Sequence, residues 1–121
     1  PQPLVANIKG RESYLDDVLG NKFSLVCYIK QIEAYISLEK WLNKFSKTCK
    51  VVVLLHQSCM IFPSRHEVVR DSNNLLENTN PRVPENSVVL IRPDKLVSAI
   101  YNKNNLHYLS DLLNNDEIFS F

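Results

Sequence analysis

The stretch that most restricts what this chain can fold into is Ser87 to Tyr101, SVVLIRPDKLVSAIY. Val88, Val89, Leu90 and Ile91 form one short apolar run, and Leu96 to Ile100 form a second. Between them stands Arg92-Pro93-Asp94-Lys95, with proline where a turn wants φ preset and aspartate beside it. The pattern predicts a β-hairpin with a four-residue corner. Because the first run is apolar without alternation, its strand is expected to be covered on both faces, which requires helices packed on the sheet.

The rest of the chain supplies those helices. Pro1-Gln2-Pro3 reads as an extended entry, and Leu4 to Ile8 as an edge strand. Ser13-Tyr14-Leu15-Asp16 has the form of a helix start, the Ser13 hydroxyl accepting a backbone N–H while Asp16 reaches back. Leu15, Val18 and Leu19 repeat at helical spacing, Asp16 and Asp17 suit a first turn, and Gly20 can take a left-handed stop. Phe23 to Ile29 and Lys50 to His56 read as buried strands. Between them Ser37 opens the strongest helix, with Leu38, Trp41, Leu42 and Phe45 on one stripe and Trp41 expected in the core under the sheet. Strand, helix, strand at this spacing predicts a parallel βαβ unit. From Gln57 to Asn86 the chain offers a turn at Pro63-Ser64-Arg65, an extended piece at Glu67 to Arg70, a short helix at 72–78 and a loop broken by Pro81 and Pro84. Asn104 or Asn105 caps a last helix faced by Leu106, Leu109, Leu112 and Leu113. The order as a whole is that of a thioredoxin-like α/β fold, with a central four- or five-stranded mixed sheet and helices on both faces.

Composition enters as a set of exclusions. At 121 residues the chain reads as one domain, able to hide roughly two thirds of its unfolded surface without metal or disulfide staples. Lysine plus arginine (14) nearly cancel aspartate plus glutamate (13) with neither sign in a block, so neither nucleic acid nor an anionic membrane is expected as partner. No apolar run approaches the roughly 20 residues of a membrane span. Cys27, Cys49 and Cys59 are odd in number and far apart, which favours reduced thiols and a cytoplasmic setting. A start at Pro1 with no initiator Met suggests a fragment of something longer.

Local chemistry is sparse. A thioredoxin-type oxidoreductase needs Cys-x-x-Cys at the start of the helix after the first core strand, and here that stretch is Gln31-Ile32-Glu33-Ala34-Tyr35. Redox members of the fold place a proline just before the hairpin, where this chain has Asn86, with Pro84 two residues early. Cys27 reads as a small core residue. His56, Cys59 and His66 lack the paired short spacings of a structural zinc site. With only Gly10 and Gly20, no phosphate loop, dinucleotide fingerprint or nucleophile elbow can be built. Asp16 and Asp17 are adjacent on a helix and do not face one another as an acid/base pair would. Arg92 and Asp94 are better explained by the corner than by recognition. No residue is nominated as catalytic, cofactor-binding or metal-ligating.

Three blocks in this order carry a resemblance. They are the opening Pro-Gln-Pro, Tyr14-Leu15-Asp16-Asp17-Val18-Leu19-Gly20 followed by Phe23-Ser24-Leu25-Val26, and Val89-Leu90-Ile91-Arg92-Pro93-Asp94 with Val97 after it. Together they resemble the C-terminal domain of the FAD-dependent aromatic-ring hydroxylases, the group of phenol hydroxylase and 3-(3-hydroxyphenyl)propionate hydroxylase. Val69 to Leu75 is similar to that family's aspartate-x-x-glycine-x-leucine segment, with Asn74 where glycine is common. The resemblance implies a thioredoxin-like domain without redox chemistry of its own, following FAD-binding and substrate-binding domains and packing on the flavin domain, with a homodimer as a further expectation. It implies FAD and NAD(P)H for the parent chain, a monooxygenase, but none held by these residues. Ser13, Asp16, Asp17, Gly20, Arg92, Pro93 and Asp94 are its structural motif. The other reading is a free-standing, redox-inactive interaction module, and a third is an enzyme using a lone reactive cysteine.

Overall fold

The computed structural model describes residues 4–7, 9–72 and 83–114. Its strands are β1 (Leu4–Ala6), β2 (Glu12–Tyr14), β3 (Ser24–Ile29), β4 (Lys50–Leu55), β5 (Glu67–Asp71), β6 (Ser87–Ile91) and β7 (Val97–Tyr101). Its helices are α1 (Leu15–Leu19), α2 (Ile32–Phe45) and α3 (Leu106–Leu113). All seven strands form one sheet in the order β2-β1-β5-β4-β3-β6-β7. β3 runs parallel to β4, and β4 parallel to β5, while β6 and β7 continue antiparallel from β3.

The hairpin is as its residues predict. Every residue of β6 is buried, because both its faces are covered. Successive residues of the central strands feed two separate cores, as the two-residue period of a strand requires. Leu25, Cys27 and Ile29 of β3, with Val51, Val53 and Leu55 of β4, pack under α2 and α3. Val26 and Tyr28, with Val52 and Leu54, face the other way toward Leu15 and Leu19 of α1 and toward Val83. Leu38 and Leu42 of α2 are almost fully buried, each contributing about 1.5–3 kcal/mol of transfer free energy.

Several expectations are corrected. The sheet has seven strands where four or five were expected, because an N-terminal hairpin and β5 extend it beyond the parallel pair. The β1–β2 hairpin is closed by Asn7, whose Oδ1 accepts the N–H groups of Lys9 and Arg11 at 2.9 Å each. β1 is therefore not an edge strand, since β2 lies outside it. Helix α2 starts at Ile32, five residues before Ser37, because Tyr35 extends the buried stripe of Leu38 and Leu42 backward by one turn. Trp41 is half-buried at the margin of the core, with its ring 5.8 Å from that of Phe45 and the Lys44 ammonium 5.7 Å from its centroid. The expected Pro1-Gln2-Pro3 entry, most of the expected helix at 72–78, Asn74, Pro81 and the tail from Asp116 lie outside the described residues.

Candidate functional site

Two places gather polar side chains around α2. The first is the junction where β3 ends at Ile29 and α2 begins at Ile32. Asn86, just ahead of the neighbouring strand β6, closes it. Its backbone sits at φ 61°, and its N–H donates to the Tyr28 carbonyl at 2.6 Å. Its side-chain Oδ1 accepts the Lys30 N–H at 3.0 Å, and its Nδ2 donates to Gln31 Oε1 at 2.8 Å. Lys30 in turn pairs with Glu85 at 3.3 Å. Asparagine suits the position because it tolerates a left-handed φ and offers both a donor and an acceptor. An open groove of about 440 Å³ beside it is lined by Glu33, Ser37, Asn86, Asn102 and Asn104 among others. Amides, a hydroxyl and one carboxylate can hold a chain in place there, but they supply no thiol and no activated nucleophile.

Each cysteine is reduced and buried. Burial pushes the Cys27 thiol up to about 12 and Cys49 up to about 11. Cys59 is also raised by burial, partly offset by Arg70, with Glu33 adding to the rise. A nucleophilic cysteine needs the opposite shift.

The second place lies between α2 and the segment joining β4 to β5. The Tyr35 hydroxyl meets Ser64 Oγ at 2.6 Å, and Ser64 Oγ accepts the His66 N–H at 3.1 Å. His66 Nε2 lies 2.9 Å from Asn43 Oδ1, an arrangement in which Nε2 carries the proton and donates. Burial, and then the neighbouring Arg65, lower the His66 pKa, against a smaller upward pull from Glu39. Among the described residues the partners of Ser64 are a phenol and a backbone amide, with no histidine ring placed to activate it as in a serine hydrolase. Arg70 fixes the start of this segment by donating to the carbonyls of His56, Gln57 and Cys59 at 3.2, 3.1 and 2.7 Å. His56 bonds Ser58 through Nδ1, and Cys59 Sγ lies 3.5 Å from the Met60 carbonyl. Among the described residues, no three His, Cys, Asp or Glu side chains converge as a metal site would require. Nor is any described helix long and apolar enough to cross a membrane.

The expected motif residues lie away from both places. The Ser13–Asp16 capping pair is not formed. Ser13 belongs to β2 opposite Val5, and the residue at the start of α1 is Tyr14, with no side-chain cap bond. The strand pairing takes Ser13 into the sheet, so its hydroxyl does not close the helix. Asp16 and Asp17 do occupy the first turn of α1, and Gly20 ends it at φ 72° with its N–H on the Asp16 carbonyl. At ψ −152° Gly20 lies outside the left-handed helical region expected of it, in a conformation open to glycine. Arg92 and Asp94 pair at 2.7 Å, both about half exposed. Asp94 also accepts the Leu96 N–H at 3.2 Å, and the Lys95 N–H closes on the Arg92 carbonyl at 2.9 Å, so the corner carries its own bonds. The structure brings α1 and this corner together, because the Lys95 ammonium donates to the Gly20 carbonyl while Lys50 donates to that of Val18. Lysines on the last carbonyls of a helix meet the negative end of its dipole. Sequence singled out Asn86 only as the residue standing where redox members have proline, and His66 only as a metal ligand to set aside; the bonds these residues make carry no local signal, since their partners lie up to 56 residues away.

The parallel β3–α2–β4 unit followed by the antiparallel β6–β7 hairpin and α3 defines a thioredoxin-like domain. Solved structures agree on the fold. A putative electron transfer protein from Aquifex aeolicus VF5 has a TM-score of 0.64 at 15% identity, covering 93% of this chain and 91% of that one. The thioredoxin domain of a thiol-disulfide oxidoreductase from Bacteroides vulgatus has a TM-score of 0.61 at 14% identity, covering 93% and 94%. Plasmodium yoelii Prx1a has a TM-score of 0.62 at 15% identity, covering 97% and 87%. No curated protein matches the chain. The HcaD C-terminal domain family matches residues 1–116, and the chain belongs to it.

Proposed function

We propose that these residues are a non-catalytic domain at the C-terminal end of a FAD- and NAD(P)H-dependent enzyme, where they pack against the flavin domain and support subunit contacts. The observation that carries the reading is the β3–α2 junction. Where the fold would place a reactive thiol, this chain has Lys30 and Gln31 tied down by the Asn86 side chain. Membership in a family of C-terminal domains supports placing any cofactor in a longer parent chain. The residues fit that division, since two glycines cannot form a glycine-rich dinucleotide loop.

The parent activity proposed is aromatic-ring hydroxylation, with one oxygen atom of O2 entering a phenolic ring and the other leaving as water at the expense of two electrons from NAD(P)H. A second reading keeps the flavin and changes the acceptor: a ferredoxin reductase-type parent that passes electrons from NAD(P)H through flavin to a ferredoxin. Steady-state assays of the intact parent chain separate the two. Oxygen uptake that depends on an added phenol supports the hydroxylase, and reduction of added ferredoxin without such uptake supports the reductase. In either case, replacing Cys27, Cys49 and Cys59 together by alanine should leave turnover per bound flavin unchanged. Turnover lost while flavin content holds would overturn the non-catalytic reading.

A further inference from the structure

The fold gathers lysines that the sequence scatters. In a parallel strand–helix–strand unit both strands start at the same end of the sheet, and the helix between them returns to that end. Lys22 stands just ahead of β3, Lys44 in the last turn of α2, Lys47 just past it, and Lys50 at the start of β4 in register with Ser24. Lys22, Lys47 and Lys50 line one open groove of about 560 Å³, and Lys44 and Lys47 line a second of about 230 Å³. The two grooves share Lys47 and Thr48, so they adjoin. Among the described residues, no carboxylate and no arginine lines either one. Lys95 reaches the first groove from the hairpin corner, through the carbonyl of Gly20. In a chain whose net charge is +1, this end is cationic.

Part of the cluster is structural. α1 and α2 both end here, and lysines meet the negative ends of their dipoles. Lys50 and Lys95 donate to the carbonyls of Val18 and Gly20, Lys50 also pairs with Glu67 at 3.3 Å, and Lys44 donates to Ser110 Oγ at 2.6 Å. Lys22 and Lys47 are exposed and make no side-chain bond among the described residues. Capping therefore leaves two ammoniums unengaged, in a cleft of one sign that concentrates the opposite charge. The groove's other groups narrow the kind of anion it suits. The N–H of Cys49 and of Thr48 are both on the Phe45 carbonyl and that of Lys50 is on the Phe23 carbonyl, so no backbone nest is open to a phosphate. Lysines also lack the fork with which arginine grips a single phosphate. Separate point charges along two adjoining grooves match carboxylates spaced along a chain.

We propose that these grooves are a docking surface for an extended, carboxylate-rich segment of a partner protein. The inference goes beyond the reading of the parent enzyme and does not depend on it. Calorimetric titration of the protein with a short oligoglutamate peptide tests it. Saturable binding of one peptide per chain is expected at low salt, and its loss near ~1 M salt, where the screening length falls to about 3 Å. Lys22→Glu combined with Lys47→Glu should weaken binding at least about ten-fold, since each change removes an attraction and adds a repulsion. Neither side chain makes a bond among the described residues, so thermal unfolding should not move. Lys9→Glu combined with Lys103→Glu makes the same change of charge outside the grooves and should leave the affinity within about two-fold. Equal losses in the two variants would reduce the effect to net charge and overturn the proposal, as would absence of binding at low salt. Inorganic phosphate that displaces the peptide at equimolar concentration would overturn it too, by making the grooves an unselective anion sink. Peptide binding that appears only after Asp116→Asn and Glu117→Gln would assign the grooves to this chain's own carboxylates and overturn the external partner.

Discussion

Asn86 is the residue on which the site turns. It combines a positive φ with three hydrogen bonds that tie the hairpin to the β3–α2 junction. Two substitutions separate those roles. Asn86→Gly keeps the backbone conformation and loses the side-chain bonds, with an expected cost of about 1–2 kcal/mol in chemical denaturation. Asn86→Ala loses the same bonds and adds about 1–2 kcal/mol of left-handed strain, so it should be the less stable of the two. Equal stabilities would show that φ at this position is not held. Ser13 gives a smaller but sharper contrast. As an exposed strand residue it should tolerate alanine within about 0.5 kcal/mol, whereas loss of a helix cap costs about 1 kcal/mol. The three thiols should react slowly with a disulfide reagent at pH 8 in the folded state, since burial raises all three. A fast-reacting Cys59 would revive the lone-cysteine enzyme.

At the scale of elements, α2 holds one face of the sheet. Leu42→Ala should cost about 2–5 kcal/mol, because Leu42 is fully buried among the strands and its loss leaves a cavity. The elements that were legible in sequence are those whose apolar pattern is strong over several residues: β3, β4, β6 and the Leu38–Phe45 part of α2. The fold class followed from their order alone. The start of α2 was missed because Ile32 and Ile36 are exposed, which blurs the stripe that Tyr35 continues. β2 was missed for a different reason. Glu12-Ser13-Tyr14 has no buried side chain, and only its hydrogen bonding to β1 makes it a strand. The Ser13 signature of a helix cap lost to that pairing, a local preference overridden by tertiary contact. Bonds between segments distant in sequence, such as those of Asn86 to Lys30 and Gln31 and of His66 to Asn43, leave no local pattern in a sequence.

For the whole molecule, stability should depend on pH through His66. Burial and Arg65 lower its pKa in the folded protein, whereas in the unfolded chain it titrates near the ordinary value of about 6.5. Above that pH the ring is neutral in both states. As pH falls below it, the unfolded chain binds the proton more readily, so stability falls. His66→Gln should flatten that decline between about pH 6.5 and the range where carboxylates titrate, measured as the denaturation midpoint. An unchanged slope would place the pH dependence elsewhere. The central claim concerns what the domain belongs to: a thioredoxin-like scaffold, its reactive position closed by amides, carried by a flavoenzyme. The most direct test is the intact mass and visible absorption spectrum of the native protein captured from its source with an antibody to this domain. The account predicts a yellow species several times heavier than the 14.0 kDa of these residues. A colourless species near 14.0 kDa would contradict it and leave a free-standing domain whose family kinship extends to fold but not to work on a flavin.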